Sequence, residues 1–70
     1  MEAVLIEVEA PSAYSTRRRF ANLTAAQFIE VYIDEETGTE AVRLDYGAAG
    51  ITVCDPRKVQ QIKAFLNART

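Results

Sequence analysis

"FIEVYIDEETGTEAVRLDY", residues 28–46, decides the fold class of this chain. On its N-terminal side, Ile29, Val31 and Ile33 alternate with Phe28, Glu30 and Tyr32. On its C-terminal side, Val42, Leu44 and Tyr46 repeat the same period of two. That period, carried by β-branched and aromatic residues, marks strands. Between them, Glu35-Glu36-Thr37-Gly38 suits a type I turn, with Gly38 free to take positive φ in a bulge. The stretch predicts a β-hairpin. A competing signal lies just upstream in "LTAAQF", residues 23–28. There Thr24 suits a helix N-cap, Gln27 would complete a capping box, and Leu23 could staple onto Phe28. One helical turn over 24–27, or a bend, followed by a strand satisfies both signals; a full helix over 25–35 is the alternative.

Outward from the hairpin, "AVLIEVE", residues 3–9, alternates with Val4, Ile6 and Val8 on one face and Leu5, Glu7 and Glu9 on the other. "APSA", residues 10–13, has the chemistry of a turn. A second strand is expected over Tyr14–Asn22, with Phe20, Arg18 and Thr16 on the apolar side. "GAAG", residues 47–50, reads as another turn, and "ITVC", residues 51–54, as a short strand with Ile51 and Val53 inward. "DPRKVQQIKAFLNART", residues 55–70, carries a helix. Asp55 is a good N-cap and Pro56 sits at N1, where its missing N–H costs nothing. Val59, Ile62, Phe65 and Leu66 recur at three- and four-residue spacing. The order predicts one α+β domain over residues 1–70. It combines a small antiparallel sheet of four to five strands with one C-terminal amphipathic helix, about residues 56–68, on one face.

Composition narrows the function. The chain of 70 residues has no histidine and one cysteine, Cys54. That removes an internal disulfide, an imidazole base and a thiolate zinc site, so neither a metal nor a cofactor is expected, and no enzyme. Ser12 and Ser15 have no obvious activator. Cys54 stands one residue before the helix N-cap, yet a free cysteine generally serves as semi-buried packing. "DEETGTE" lacks the alternating ligands of a calcium loop, and "DYGAAG" lacks the lysine and following helix of a phosphate loop. The opening "MEAVLIEVEA" has no basic leader and is interrupted by Glu7 and Glu9, so it does not read as a signal peptide. No apolar run approaches the roughly 20 residues of a spanning helix. A lone cysteine fits a reducing compartment, so a soluble, cytoplasmic protein with no membrane contact is expected.

The net charge is −2, unevenly spread. Residues 1–54 hold four arginines and nine carboxylates, whereas residues 55–70 hold Arg57, Lys58, Lys63 and Arg69 against Asp55. Three of the arginines form the run Arg17-Arg18-Arg19. On a strand they cannot form one stripe, because neighbours point to opposite faces. Pairing across "APSA" is expected to set Glu7 opposite Arg17, a structural ion pair on the solvent face. A docking role for Arg17 and Arg19 is the alternative.

So small a chain has a thin core, and the parity opposite the core carries Leu5, Phe28 and Tyr32 beside Thr52 and Cys54. A second apolar face points to a non-enzymatic binding or regulatory module that works through protein–protein contacts as a homodimer. Its expected contact residues are Arg17, Arg19, Phe28, Tyr32 and Leu5.

Residues 31–66 also carry Gly50-Ile51-Thr52-Val53 after a hairpin, followed by helical Val59, Ile62 and Leu66. In this the stretch, about half the chain, resembles the Whirly-type transcriptional coactivators. That resemblance implies dimerisation through helices and single-stranded nucleic acid bound on the sheets. Phosphate contacts would come from Arg17, Arg19, Lys58 and Lys63, with Phe28 or Tyr32 stacking on bases. The sequence departs from that family's pattern in having only "DYGAA" before Ile51's strand, without basic residues, and no tryptophan in the helix.

Overall fold

The computed structural model describes residues 2–9 and 12–69. The chain runs β1 (Leu5–Glu9), β2 (Arg19–Asn22), a 3-10 turn (Leu23–Ala25), β3 (Phe28–Ile33), β4 (Glu40–Asp45), β5 (Gly50–Val53) and α1 (Pro56–Asn67). It is an α+β fold with antiparallel strands and a C-terminal helix. The strands form two sheets, β1–β2 and β3–β4–β5, rather than one.

The central hairpin follows the alternation of its sequence. β3 and β4 pair in unbroken register, from Phe28 opposite Asp45 to Ile33 opposite Glu40. Gly38 takes φ +70°. Its N–H donates to the Asp34 carbonyl at 2.7 Å, and the Asp34 N–H donates to the Thr39 carbonyl at 2.8 Å. These two bonds define a glycine bulge closing the turn. The Asp34 carboxylate accepts from the Glu36 N–H at 2.8 Å, which holds the first half of the turn. β5 returns through a tight turn in which Gly47 takes φ +91° and the Tyr46 N–H donates to the Ala49 carbonyl at 2.8 Å.

The helical signal at 23–28 resolves into the short 3-10 turn, so the full helix over 25–35 does not form. The cap is Asn22 rather than Thr24: the Asn22 side chain accepts from the Thr24 N–H at 3.1 Å and from its hydroxyl at 2.8 Å. This turn separates β2 from β3 and ends the first sheet.

The second strand is shorter than its sequence suggests, Arg19–Asn22 instead of Tyr14–Asn22. Serine side chains take the upstream backbone. Ser12 Oγ accepts from the Tyr14 N–H at 3.2 Å, and Ser15 Oγ from the Arg17 N–H at 3.1 Å. Such local bonds compete with a strand ladder for the same donors. Of the expected turn at 10–13, Ala10 and Pro11 lie outside the described residues.

The register of β1 with β2 also differs from the expected one. Ile6 faces Ala21 and Glu7 faces Phe20, and a bulge at Val8 then sets Glu9 against Arg19. The pairing is shifted by three residues from Glu7 opposite Arg17, and any odd shift moves every side chain to the opposite face. Ala21 is therefore buried and Phe20 is turned outward.

Both sheets and the helix close on one apolar cluster. Ile6, Ala21, Leu23, Val42, Leu44, Val53, Val59 and Ile62 form its buried centre, with Ile29, Tyr46, Ile51, Phe65 and Leu66 packed around it. α1 lies against β4 and β1. Asp55 caps it, its carboxylate accepting from the Arg57 N–H at 2.9 Å. Lys63 ties the helix to the start of β4 through both Glu40 carboxylate oxygens, at 2.9 and 3.0 Å. Among the described residues the core holds no buried polar or charged side chain. No helix among them is long and apolar enough to cross a membrane.

Candidate functional site

A helix about 10 Å across spans roughly two strands set 4.8 Å apart. α1 lies over β4, leaving the far strand of the three-stranded sheet uncovered. That strand is β3, whose only neighbour among the described residues of its sheet is β4. Its helix-side residues show the consequence: Ile29 is partly buried, Val31 is 38% exposed and Ile33 58%. On the opposite side of the sheet Phe28 is 70% exposed and Tyr32 half-buried. The strand therefore presents apolar groups on both faces and, between them, a backbone edge with no strand partner among the described residues.

The face away from the helix carries the charged members of the hairpin. Glu30 pairs in register with Arg43, which pairs with Thr52 on β5. A Cβ built on Gly50 would meet the Arg43 guanidinium at 3.4 Å, so the arginine lies along the sheet rather than standing free. Phe28, Ile29, Glu30, Arg43 and Asp45 line an open depression of about 370 Å³ here. It combines one aromatic wall with a cation and two carboxylates, a surface suited to polar contact. Among the described residues no group of three histidine, cysteine or acidic side chains is placed to hold a metal ion.

The residues singled out in the sequence fall on two separate surfaces. Phe28 and Tyr32 belong to the β3 margin. Leu5, 62% exposed, lies on β1 in the other sheet, paired with Asn22. Phe20 shares that outward side, and sequence reasoning had placed it inside. The helix-side pair Val31 and Ile33 was also missed as exposed surface, because alternation reports parity but not how far the helix reaches. The signal lay in width: a single helix of 12 residues cannot cover the five strands that the sequence marks.

The arginine run is distributed otherwise than expected. Glu7 pairs with Arg18, not Arg17: the Arg18 Nε donates to Glu7 Oε2 at 2.7 Å. Arg18 also lies over the Phe20 ring, 5.2 Å from its centroid. Arg19 approaches Glu9 at 3.6 Å. The ladder sets Glu7 against Phe20, three residues from the expected Arg17, and the bulge at Val8 then brings Glu9 to Arg19. Arg17 precedes the strand, exposed, with its N–H on Ser15. Of the helix cations, Lys63 is held by Glu40 and Lys58 is half-buried. Cys54 is exposed and unbridged, not the semi-buried packing residue expected.

Compared with known families, curated proteins and solved structures, the chain matches none.

Proposed function

We propose that this protein is a non-enzymatic protein-binding module that works as a homodimer in a reducing compartment such as the cytoplasm. One observation carries the reading: Phe28, Val31 and Ile33 are exposed together on an edge strand whose outer backbone has no strand partner among the described residues. Proteins that stay monomeric commonly blunt such an edge with lysine, proline or a bulge. β3 has no lysine, proline or bulge along its six residues, and Glu30 is its one charged side chain. The absence of histidine and the lone, unpaired cysteine in the sequence support a role without catalysis. Size-exclusion chromatography with light scattering over a concentration series tests the dimer. The expected result is a mass rising toward twice that of the chain, and a mass that stays at one chain into the high micromolar range rejects it.

The hairpin of the first sheet favours a second reading, single-stranded nucleic-acid binding. It sets exposed Tyr14 and Phe20 beside Arg17, Arg18 and Arg19, the stacking and charged groups such binding uses. Against it stand the carboxylates facing Arg18, Arg19 and Lys63 and the net negative charge. Fluorescence anisotropy with labelled oligonucleotides at low salt separates the readings, and no binding there removes the second.

A further inference from the structure

The backbone of β3 fixes how a second copy would meet it. In an antiparallel ladder, residues that bond to their opposite number alternate with residues that bond to the other side. Asp34 donates to Thr39, so Asp34, Tyr32, Glu30 and Phe28 direct their backbone groups toward β4. The β4–β5 turn reports the same phase independently. Tyr46 donates to Ala49, so Tyr46, Leu44 and Val42 face β5, and Asp45, Arg43 and Ala41 face β3. The N–H and C=O groups of Ile29, Val31 and Ile33 therefore point out of the free edge.

We infer that two copies join edge to edge through β3, antiparallel, about a two-fold axis at Val31, making one continuous sheet of six strands. This rests on the homodimer reading above and adds its geometry. With the axis at Val31, Val31 pairs with the partner's Val31 and Ile29 with the partner's Ile33. These are the residues whose backbone groups are free, so each pair closes two hydrogen bonds. Their side chains all lie on the helix side, where Val31 and Ile33 then cover one another across the junction. On the other face Glu30 meets the partner's Tyr32, and Phe28 meets the partner's Asp34.

Charge excludes the neighbouring registers. Faces are preserved by a two-fold axis perpendicular to the sheet, so the axis falls on a residue rather than between two. At Glu30 it would set two Glu30 carboxylates directly opposite each other. At Tyr32 it would set Glu30 against the partner's Asp34. Like charges directly across a pair of strands destabilise it. The axis at Val31 avoids both. A contact of one strand pair lies at the small end of specific interfaces, so the dimer dissociates on dilution.

Disulfide trapping in a Cys54→Ser background tests the register. Glu30 and the partner's Tyr32 form a pair that does not exchange backbone bonds, the closer kind, with Cα atoms about 4.5 Å apart, within disulfide range. The double variant Glu30→Cys with Tyr32→Cys should run at twice the chain mass on a non-reducing gel after mild oxidation. Each single variant should remain one chain. Cross-linking by Glu30→Cys alone, or by Tyr32→Cys alone, places the axis elsewhere and overturns the inference. Light scattering on the parent separates the two levels. A dimer whose double variant does not cross-link leaves the homodimer reading standing and rejects this register, whereas a monomer at every concentration rejects both. A second variant guards against a double variant that fails to fold. Val31→Lys, at a partly exposed edge position, should keep the parent's circular dichroism and lose the dimer peak, and a dimer peak that survives it overturns the inference.

Discussion

The Tyr46 hydroxyl donates to the backbone carbonyl of Asn22 at 3.0 Å, joining positions 24 apart in sequence. Tyr46 follows β4 in the three-stranded sheet, and Asn22 ends β2 in the other. The bond links the two sheets at the point where the 3-10 turn separates them. Asn22 thus ends a strand, caps a turn and anchors a tyrosine.

Burial raises the pKa of Tyr46 above its ordinary value. The phenol stays neutral in the folded chain at a pH where the unfolded chain has begun to ionise. The stability this contributes is fully present below about pH 10 and is lost as pH rises through the folded value. Tyr46→Phe should cost about 1 kcal/mol near neutral pH by removing the hydrogen bond. It should also flatten the fall in stability above pH 10. Urea titrations of both proteins at pH 7 and at alkaline pH check this, and parallel alkaline losses would contradict it.

Ile62 is fully buried beneath the helix, whereas Leu66 is only partly buried. Ile62→Ala should cost about 2–5 kcal/mol, a large part of the stability of so small a fold. Leu66→Ala should cost clearly less, since its site opens to solvent and can relax. Thermal midpoints of the two variants rank them, and equal losses would mean that the helix is seated differently.

Glu7 and Arg18 form an exposed pair worth less than about 1 kcal/mol and weakened by salt. A double-mutant cycle should find coupling between Glu7 and Arg18 and none between Glu7 and Arg17. Glu7→Arg with Arg18→Glu should recover part of the loss, short of full recovery because Arg18 also stacks on Phe20. Coupling to Arg17 instead would contradict the bulged register.

Gly38 has open space where a Cβ would stand, so only its backbone conformation resists substitution. Gly38→Ala should cost about 1–2 kcal/mol, the strain of a left-handed residue, and Gly38→Asn less, because asparagine tolerates that region. Thermal melts decide the order.

Where local chemistry and tertiary demand agree, the fold is legible in the chain. Alternation from Phe28 to Tyr46 and the glycine at 38 specify the hairpin, and Asp55-Pro56 with Val59 and Ile62 specifies the helix. The first sheet is harder because Phe20 and Ala21 compete for one inward position. Hydrophobicity favours the phenylalanine, yet the ladder seats the alanine, held by the Leu23 N–H on the Val4 carbonyl at 2.8 Å and by the bulge at Val8. Those are long-range backbone bonds that no periodicity reports. The candidate surface is half legible for a related reason. Phe28 and Tyr32 stand out by parity, while Val31 and Ile33 are exposed only because the helix stops short of β3.

The buried cluster contains aliphatic side chains alone among the described residues. Aliphatic contacts have shape but no direction, so valine, leucine and isoleucine can replace one another there at modest cost when total volume is kept. The positions that resist drift are thus the punctuation: Asn22, Asp34, Gly38, Gly47 and Asp55, each tied to a specific backbone group or a specific φ. Descendants of this chain could rewrite most of its interior and still fold, provided that they keep the alternation and those five marks.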